Sequence, residues 1–229
     1  MVDFVAPAAT KSDFAYMHLR AKILSGEFEP GQVLNQATLA PAIGVSTTPL
    51  REALRRLSAE GLVELGAHRD ARIAPLTAEE ARDLLEMRRS LDPLAAFPAA
   101  ERRTKEDIQV VRESARELRS LTGDATVVDL ATHRRFYAAI YRASHNELLI
   151  ATLDSLWDKA DRYRRLGLEV PRGQAERDQK AAEHTRLPDC IIARDGDGAA
   201  QIMRDHIETS LGAKAAARLS AGSAAVPGA

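Results

Sequence analysis

The stretch of residues 39–65 constrains the fold of this chain more than any other segment. A short apolar run ends at Gly44, a polar run of serine, threonine and proline follows at 46–49, and an amphipathic segment comes next. Glycine can adopt the positive φ of a tight turn between two helices. Ser46 can cap the second helix, and Pro49 is tolerated in its first turn, where N–H groups lack helical partners. The stretch therefore predicts two helices joined by a tight turn.

The second of these helices has one apolar and one polar face. The apolar face repeats at spacings of three and four residues and consists of Leu50, Ala53, Leu54 and Leu57. The opposite face carries hydroxyl and guanidinium groups, from Thr47, Thr48, Arg51 and Arg55. Such groups bind phosphates and base edges when a helix enters the major groove of DNA. The pattern therefore favours a DNA-reading helix, and a solvated charged face is the alternative.

A β-hairpin is predicted directly after these helices. Residues 62–65 and 71–74 have the composition of two short strands, and the tip between them carries His68 and Arg69. An amphipathic helix precedes the two helices of the turn. Three helices followed by a hairpin make a winged helix-turn-helix, which we assign to residues 12–76.

The rest of the chain shows only helical periodicity. A capping box at 77–80 begins the first helix of this part. We predict helices over residues 78–91, 93–103, 105–121, 126–143, 147–166, 174–193 and 198–216. Pro93 is predicted to divide one helix from the next, and Pro98 and Pro188 are predicted to kink or shorten theirs.

The predicted fold class is mainly α, with an N-terminal winged helix-turn-helix and a C-terminal all-α helical bundle. Small and polar residues dominate both ends of the chain, which predicts a flexible arm and a disordered tail. The predicted segments are the arm at 1–11, the winged helix-turn-helix at 12–76, the helical domain at 77–216 and the tail at 217–229.

Charge and cysteine content limit the possible functions. The formal net charge is −1, and residues 1–75 hold eight Lys or Arg and eight Asp or Glu. Any DNA contact must therefore come from a local basic patch rather than a global field. The only cysteine, Cys190, excludes an internal disulfide and is typical of a reducing cytoplasm. Because no leader or apolar run of membrane length is present, we expect a cytoplasmic protein without a membrane partner.

Four residues of the helical half have the chemistry of a metal site. Asp129 and His133 are four residues apart, so they share one helix face, and His184 and His206 lie on two later helices. A helical bundle can direct such ligands at one centre. Three imidazoles and a carboxylate suit a divalent transition metal ion of the zinc, nickel or manganese type, not magnesium or calcium. The alternatives are an exposed Asp–His pair and histidines satisfied in the core or exposed to solvent.

Both halves resemble one known family. Residues 45–54, VSTTPLREAL, with Leu57 and the segment EGLV at 60–63, resemble the GntR transcription regulators. The second half resembles the all-helical FCD effector domain of the FadR-type branch. The matching positions there are Arg88, Leu91, Asp92, Asp129, His133, Phe136, Ala143, Ser144, Asn146, Glu183, His184, Asp195, Ala199, Met203, His206 and Ile207. The resemblance covers residues 12–212.

The resemblance implies a ligand-responsive DNA-binding regulator, for which we expect repression, and not an enzyme. Such regulators are homodimers that read a short inverted repeat in double-stranded DNA, one recognition helix per half-site. The residues implied to contact DNA are Ser46, Thr47, Thr48, Arg51, Arg55, His68 and Arg69. Two departures predict fewer phosphate contacts and an altered wing, because Thr47 stands where relatives usually have arginine and Asp70 where glycine is common.

The resemblance also implies a small carboxylate effector. The metal-binding subset of FCD domains uses an Asp, a His four residues later and two further His, which correspond to Asp129, His133, His184 and His206, and the metal helps to hold the acid. Arg88 occupies the family's Arg-x-x-Leu-acid position. It is the implied counter-charge of the effector, or else part of a structural ion pair with a neighbouring helix.

Two other functions are compatible with the same residues. A helical-bundle metalloenzyme with an appended winged-helix interaction module could use the four predicted ligands, but no motif places a general base or a nucleophile. The winged helix could also bind protein instead of DNA, which the neutral charge of residues 1–75 favours.

Overall fold

Two separate clusters of buried apolar side chains divide the chain after residue 76. The computed structural model describes residues 10–66, 70–119, 121 and 125–224. Its two units are residues 1–76 and 77–229, and we call Pro75-Leu76, just before their boundary, the linker. The predicted mainly α fold class is confirmed. Among the helices of the described ranges, none has both the length and the hydropathy needed to cross a membrane.

The N-terminal unit combines three helices with a small antiparallel sheet. Its elements are α1 (Lys11–Ser25), β1 (Val33–Asn35), α2 (Gln36–Ala42), α3 (Thr47–Ala59), β2 (Val63–Leu65) and β3 (Asp70–Ile73). The strand order is β1-β3-β2, and Gly66 closes the β2–β3 hairpin with an N–H bond to Asp70 O. Sequence patterns did not predict β1. It forms because Leu34 pairs with Ala71 of β3 and is buried there, a contact between distant residues.

The turn between α2 and α3 has the predicted geometry. Gly44 has a φ of 73°. Ser46 is the N-cap of α3, but its side chain makes no capping hydrogen bond, contrary to the prediction. The cap of α2 is Asn35, whose Oδ1 accepts from the N–H groups of the next turn. Pro41 lies inside α2, beyond its first turn, where it provides no N–H for a helical hydrogen bond, and α2 ends one residue later, at Ala42.

The C-terminal unit is an all-helical bundle. Its helices are α4 (Ala78–Arg102), α5 (Lys105–Arg116), α6 (Val127–Arg142), α7 (Glu147–Leu168), α8 (Gln174–Ala193), α9 (Gly196–Glu208) and α10 (Leu211–Ala224). The core is built around the large side chains of α6 and α7, including Phe136, Tyr141, Leu153 and Trp157. Around them pack small residues of α4 and apolar residues of α8 and α9.

Several helix boundaries differ from those predicted, and α5 ends at Arg116 instead of residue 121. Helix α4 runs unbroken through Pro93 and Pro98, so the predicted division at Pro93 is wrong. The two prolines lack the N–H groups of a regular helix, and tertiary packing offsets the lost hydrogen bonds. Four alanines in this half of α4 are fully buried, namely Ala95, Ala96, Ala99 and Ala100. Similarly, Pro188 lies inside α8. The predicted helix 198–216 is two helices, and the second, α10, continues to Ala224, into the predicted tail.

Helix α10 packs closely across α7 at Gly167. A Cβ atom on Gly167 would lie 2.1 Å from the carbonyl oxygen of Leu211, the first residue of α10. No side chain fits in that space, so the approach of the two helices depends on glycine at this position.

Candidate functional site

The polar face of α3 is exposed as the sequence predicts. Leu50, Ala53, Leu54 and Leu57 are buried, while Ser46, Thr47, Thr48, Arg51 and Arg55 are exposed. Two other predicted DNA contacts, His68 and Arg69, lie outside the described residues. The exposed face therefore carries two guanidinium groups and three hydroxyls on one rigid helix, the chemistry needed for phosphates and base edges.

A glutamine that sequence patterns did not single out holds one of these arginines. Gln36, at the start of α2, is only 8% exposed. Its Oε1 accepts a hydrogen bond of 3.2 Å from Arg51 Nε. Arg55 has no hydrogen-bond or ion-pair partner within the described ranges. The two guanidinium groups thus differ, since one is positioned from the neighbouring helix and the other extends freely.

Arg56, a third arginine of α3, has a structural role. Its guanidinium pairs with Asp13 of α1 at 2.8 Å and lies 4.0 Å from the centre of the Tyr16 ring. The hydroxyl of Tyr16 in turn donates to Glu60 at 2.8 Å. Arg56 therefore ties α3 to α1.

Three predicted metal ligands, His133 of α6, His184 of α8 and His206 of α9, come together in the helical unit. The ring centres of His133 and His184 are 5.0 Å apart, and those of His184 and His206 are 5.4 Å apart. Tyr137, which the sequence did not single out, lies among them. Its hydroxyl oxygen is 2.9 Å from His184 Nε2 and 2.6 Å from His206 Nε2.

The fourth predicted ligand, Asp129, has other partners in this structure. Its carboxylate closes the capping box at the start of α6 and accepts from Thr126 N at 2.8 Å and Thr126 Oγ1 at 2.7 Å. His133 Nε2 lies 2.8 Å from the carbonyl oxygen of Arg119, to which it can only donate. Among the described residues no group of three or more His, Cys, Asp or Glu is arranged to hold a metal ion. The metal site stays a prediction.

Burial keeps the three imidazoles neutral. It lowers the pKa of His133 and of His206 to about 4 and that of His184 to about 2. Burial also raises the pKa of Tyr137 above its usual range, so the hydroxyl keeps its proton. For Glu183, burial would raise the pKa, but hydrogen bonds from His206 and Lys180 lower it to about 2. The cluster at neutral pH therefore consists of uncharged rings beside one carboxylate.

Next to the histidines lies a cavity of about 50 Å³. One wall is aromatic, from Tyr137 and Trp157. Five cationic side chains also line it, namely Arg88, Arg164, Arg172, Arg177 and Lys180. Of these, the sequence singled out only Arg88. The others lie on α7 and α8 or between them, with no spacing that marks them as one set, and only the packing of the bundle brings them together.

Three of the five cations have a carboxylate partner. Arg88 is paired with Asp92 of the same helix at 2.6 Å, Arg164 with Asp161 at 2.6 Å and Lys180 with Glu183 at 2.7 Å. Burial alone would lower the pKa of Arg88, but the charge of Asp92 raises it above its ordinary value. Arg88 thus forms a structural ion pair, but within α4 and not with a neighbouring helix as the alternative prediction has it.

Arg172 and Arg177 differ from the other cations of the cavity. Within the described ranges neither has a carboxylate oxygen within 4.0 Å, and both donate to backbone carbonyls, Arg172 to Leu121 and Arg177 to Arg172. Burial lowers the pKa of Arg172, which reflects the cost of holding its charge there. Among the described residues, the cavity thus has two cations more than its ion pairs neutralise.

Comparisons with known proteins match both units. Residues 11–70 match the model for bacterial regulatory proteins of the gntR family, and residues 83–209, more than half of the chain, match the FCD domain. The HTH-type transcriptional repressor GlaR of Escherichia coli (strain K12) is 27% identical over 202 residues, which cover 86% of this chain and 92% of that protein. The Glc operon transcriptional activator of the same organism is 27% identical over 209 residues, 82% of each chain.

A solved structure shows the same fold. The Escherichia coli protein McbR/YncC has a TM-score of 0.74 with this chain at 20% identity, over 93% of this chain and 99% of that one. The two relatives above are transcriptional regulators, not enzymes, so the alternative of a metalloenzyme is not supported. The chain belongs to the GntR family of bacterial DNA-binding transcriptional regulators and has an FCD domain behind its winged helix-turn-helix.

Proposed function

We propose that the chain is a homodimeric repressor whose affinity for an inverted-repeat operator changes when its helical unit binds a small organic acid. The effector part rests on the cavity, where Arg172 and Arg177 have no carboxylate partner within the described ranges. Arg172 and Arg177 are half-buried, so their charges are partly removed from water, and guanidinium groups bind carboxylates with paired hydrogen bonds. An acid bound there would supply the missing negative charge.

The exposed face of α3 supports the DNA contacts. We assign DNA phosphate contacts to the hydroxyls of Ser46, Thr47 and Thr48. Arg51 would contact either a guanine edge or a phosphate, and Arg55 would contact the DNA backbone. The wing residues His68 and Arg69 complete the proposed set.

Helix α7 offers a route from the cavity to the linker. Trp157 and Arg164 of α7 line the cavity. Between them, the Tyr163 hydroxyl accepts from Thr77 N–H at 3.1 Å and donates to Glu80 at 2.8 Å. Thr77 directly follows the linker to the DNA-binding unit. An acid that shifts α7 would thereby act on the start of α4. For this to happen, the acid must bind two arrangements of the helical unit with different affinity.

A divalent transition metal ion of the zinc, nickel or manganese type remains part of the proposal. His184 and His206 direct Nε2 at one point, and neutral imidazoles are the form that binds metal. His133 and Asp129 would join them only by giving up their hydrogen bonds with Arg119 and Thr126. Such an ion would supply a Lewis-acid position for the effector carboxylate. The Tyr137 hydroxyl lies at the point of convergence.

The test starts from the purified full-length chain and a panel of small organic acids. An acid that binds the folded chain raises Tm according to its concentration and Kd. The same acid should change the anisotropy of a fluorescent operator fragment selected from a random DNA pool, and a reporter assay then distinguishes repression from activation. The proposal fails if no acid raises Tm, or if the acids that do so leave operator affinity unchanged.

A further inference from the structure

We propose that the Tyr137 hydroxyl occupies the coordination point of the histidine cluster, so that the native chain binds transition metals more weakly than its histidines allow. This inference rests on the metal part of the proposed function. It concerns a residue of α6 that makes two of the closest polar contacts in the cluster.

The protons of the cluster can be placed from its shortest hydrogen bonds. His206 Nδ1 is 2.8 Å from Glu183 Oε2, and an ionised carboxylate only accepts. Lys180 Nζ is 3.4 Å from the same Nδ1 but donates to Glu183 Oε2 at the shorter distance of 2.7 Å. Nδ1 of His206 therefore carries the proton of the neutral ring, and Nε2 has a free lone pair. At 2.6 Å, that lone pair accepts the O–H of Tyr137.

The same logic assigns His184. Tyr137 has one proton, which it donates to His206, so its contact of 2.9 Å with His184 needs a proton from the imidazole. Nε2 of His184 thus donates to the Tyr137 oxygen. The Tyr137 hydroxyl therefore donates to Nε2 of His206 and accepts from Nε2 of His184, the two nitrogens that face the centre.

Packing holds Tyr137 in place. The side chain is 3% exposed, and its ring stacks on Trp157 with centres 5.8 Å apart and planes at 25°. Its hydroxyl is held by the two hydrogen bonds to His184 and His206. A metal ion must therefore break two hydrogen bonds and displace a packed ring, and the hydrogen bonds alone correspond to an affinity loss of about tenfold.

The experiment compares metal binding by the native chain and by Tyr137→Leu, which keeps an apolar side chain but leaves the centre open. Both are stripped with chelator and titrated with Ni²⁺ and Co²⁺, by calorimetry and by the absorption of histidine-bound Co²⁺. We expect Kd to be at least about tenfold lower in Tyr137→Leu. The gain in affinity should disappear in Tyr137→Leu/His206→Ala. It should also be absent in Tyr141→Phe, because the hydroxyl of Tyr141 contacts Asp92 and not the histidines.

Equal affinity in the native chain and a folded Tyr137→Leu overturns the inference, whether both bind tightly or neither binds. The acid screen is independent, so this failure leaves the effector proposal intact. If Tyr137→Leu does not fold, nitrogen-15 NMR of the native imidazoles decides. His206 protonated at Nδ1 and His184 at Nε2, both unchanged on adding equimolar Ni²⁺, supports the inference. The opposite tautomers, or a shift of both rings with Ni²⁺, contradicts it.

Discussion

Arg51 of α3 is held by Gln36 of α2 through a hydrogen bond of 3.2 Å between Nε and Oε1. The bond leaves the terminal nitrogens of the guanidinium free to face outward. Because Gln36 is nearly buried, it restricts the arginine before any contact with DNA forms. A side chain ordered in advance loses less entropy on binding.

Arg51→Ala should weaken operator binding about tenfold or more, since a specific base contact is worth about 1–3 kcal/mol. Gln36→Ala should weaken it less, because the guanidinium remains but is no longer positioned. Anisotropy titrations measure both. Arg56→Ala is the matched control, because Arg56 pairs with Asp13. An equal loss in the control would contradict the assignment of the reading face.

Arg172→Gln and Arg177→Gln should each weaken binding of the effector acid about tenfold or more, because each removes a cation that has no carboxylate partner in the part of the chain that the structure describes. Operator affinity without acid should stay unchanged. Isothermal titration with the acid found in the screen provides the measurement. Arg186→Gln removes a charge from the same helix as Arg177 but outside the cavity lining. Acid binding that is insensitive to both cavity variants would place the effector elsewhere.

Tyr163→Phe should separate effector binding from operator release. The phenyl ring keeps the packing of α7, but the hydrogen bonds to Thr77 and Glu80 are lost. We expect acid and operator each to bind as in the native chain, while the change in operator affinity caused by the acid becomes smaller. Titration of operator at zero and saturating acid measures this coupling. Coupling of native size in the variant would exclude this contact as the route.

Asp129→Ala should lower stability even without metal. The carboxylate caps α6 through Thr126, and these hydrogen bonds lower its pKa. A lost cap of this kind costs about 1 kcal/mol. Thermal unfolding with chelator measures it, and Asp129→Asn, which keeps an acceptor, should lose less. A decrease seen only when metal is present would show that Asp129 acts as a ligand rather than a cap.

Gly167→Ala should destabilise the helical unit by about 1–3 kcal/mol, as overpacking usually does, because the new methyl group would collide with the Leu211 carbonyl. Gly212→Ala, one residue after Leu211, meets only Ser210 Oγ at 3.6 Å and should be neutral or stabilising. Chemical denaturation of both variants tests the difference. Similar stability of the two would show that α10 can move away from α7 at little cost.

The sequence by itself determined what depends on neighbouring residues. The spacing of Leu50, Leu54 and Leu57 determined which face of α3 is buried, and Gly44 determined the turn before it. Local periodicity and backbone freedom are properties of a short segment, so they can be predicted without the rest of the fold. For the same reason His184 and His206 were placed on separate helices.

The tertiary structure decided what depends on contacts between distant segments. It formed β1 by pairing with β3, kept α4 intact through Pro93, and gathered Arg172 and Arg177 in one cavity. It also placed the Tyr137 hydroxyl between two histidines whose positions in the chain are 47 and 69 residues away. No local pattern encodes such a contact, because it exists only when packing energy from the whole bundle fixes the helices against one another.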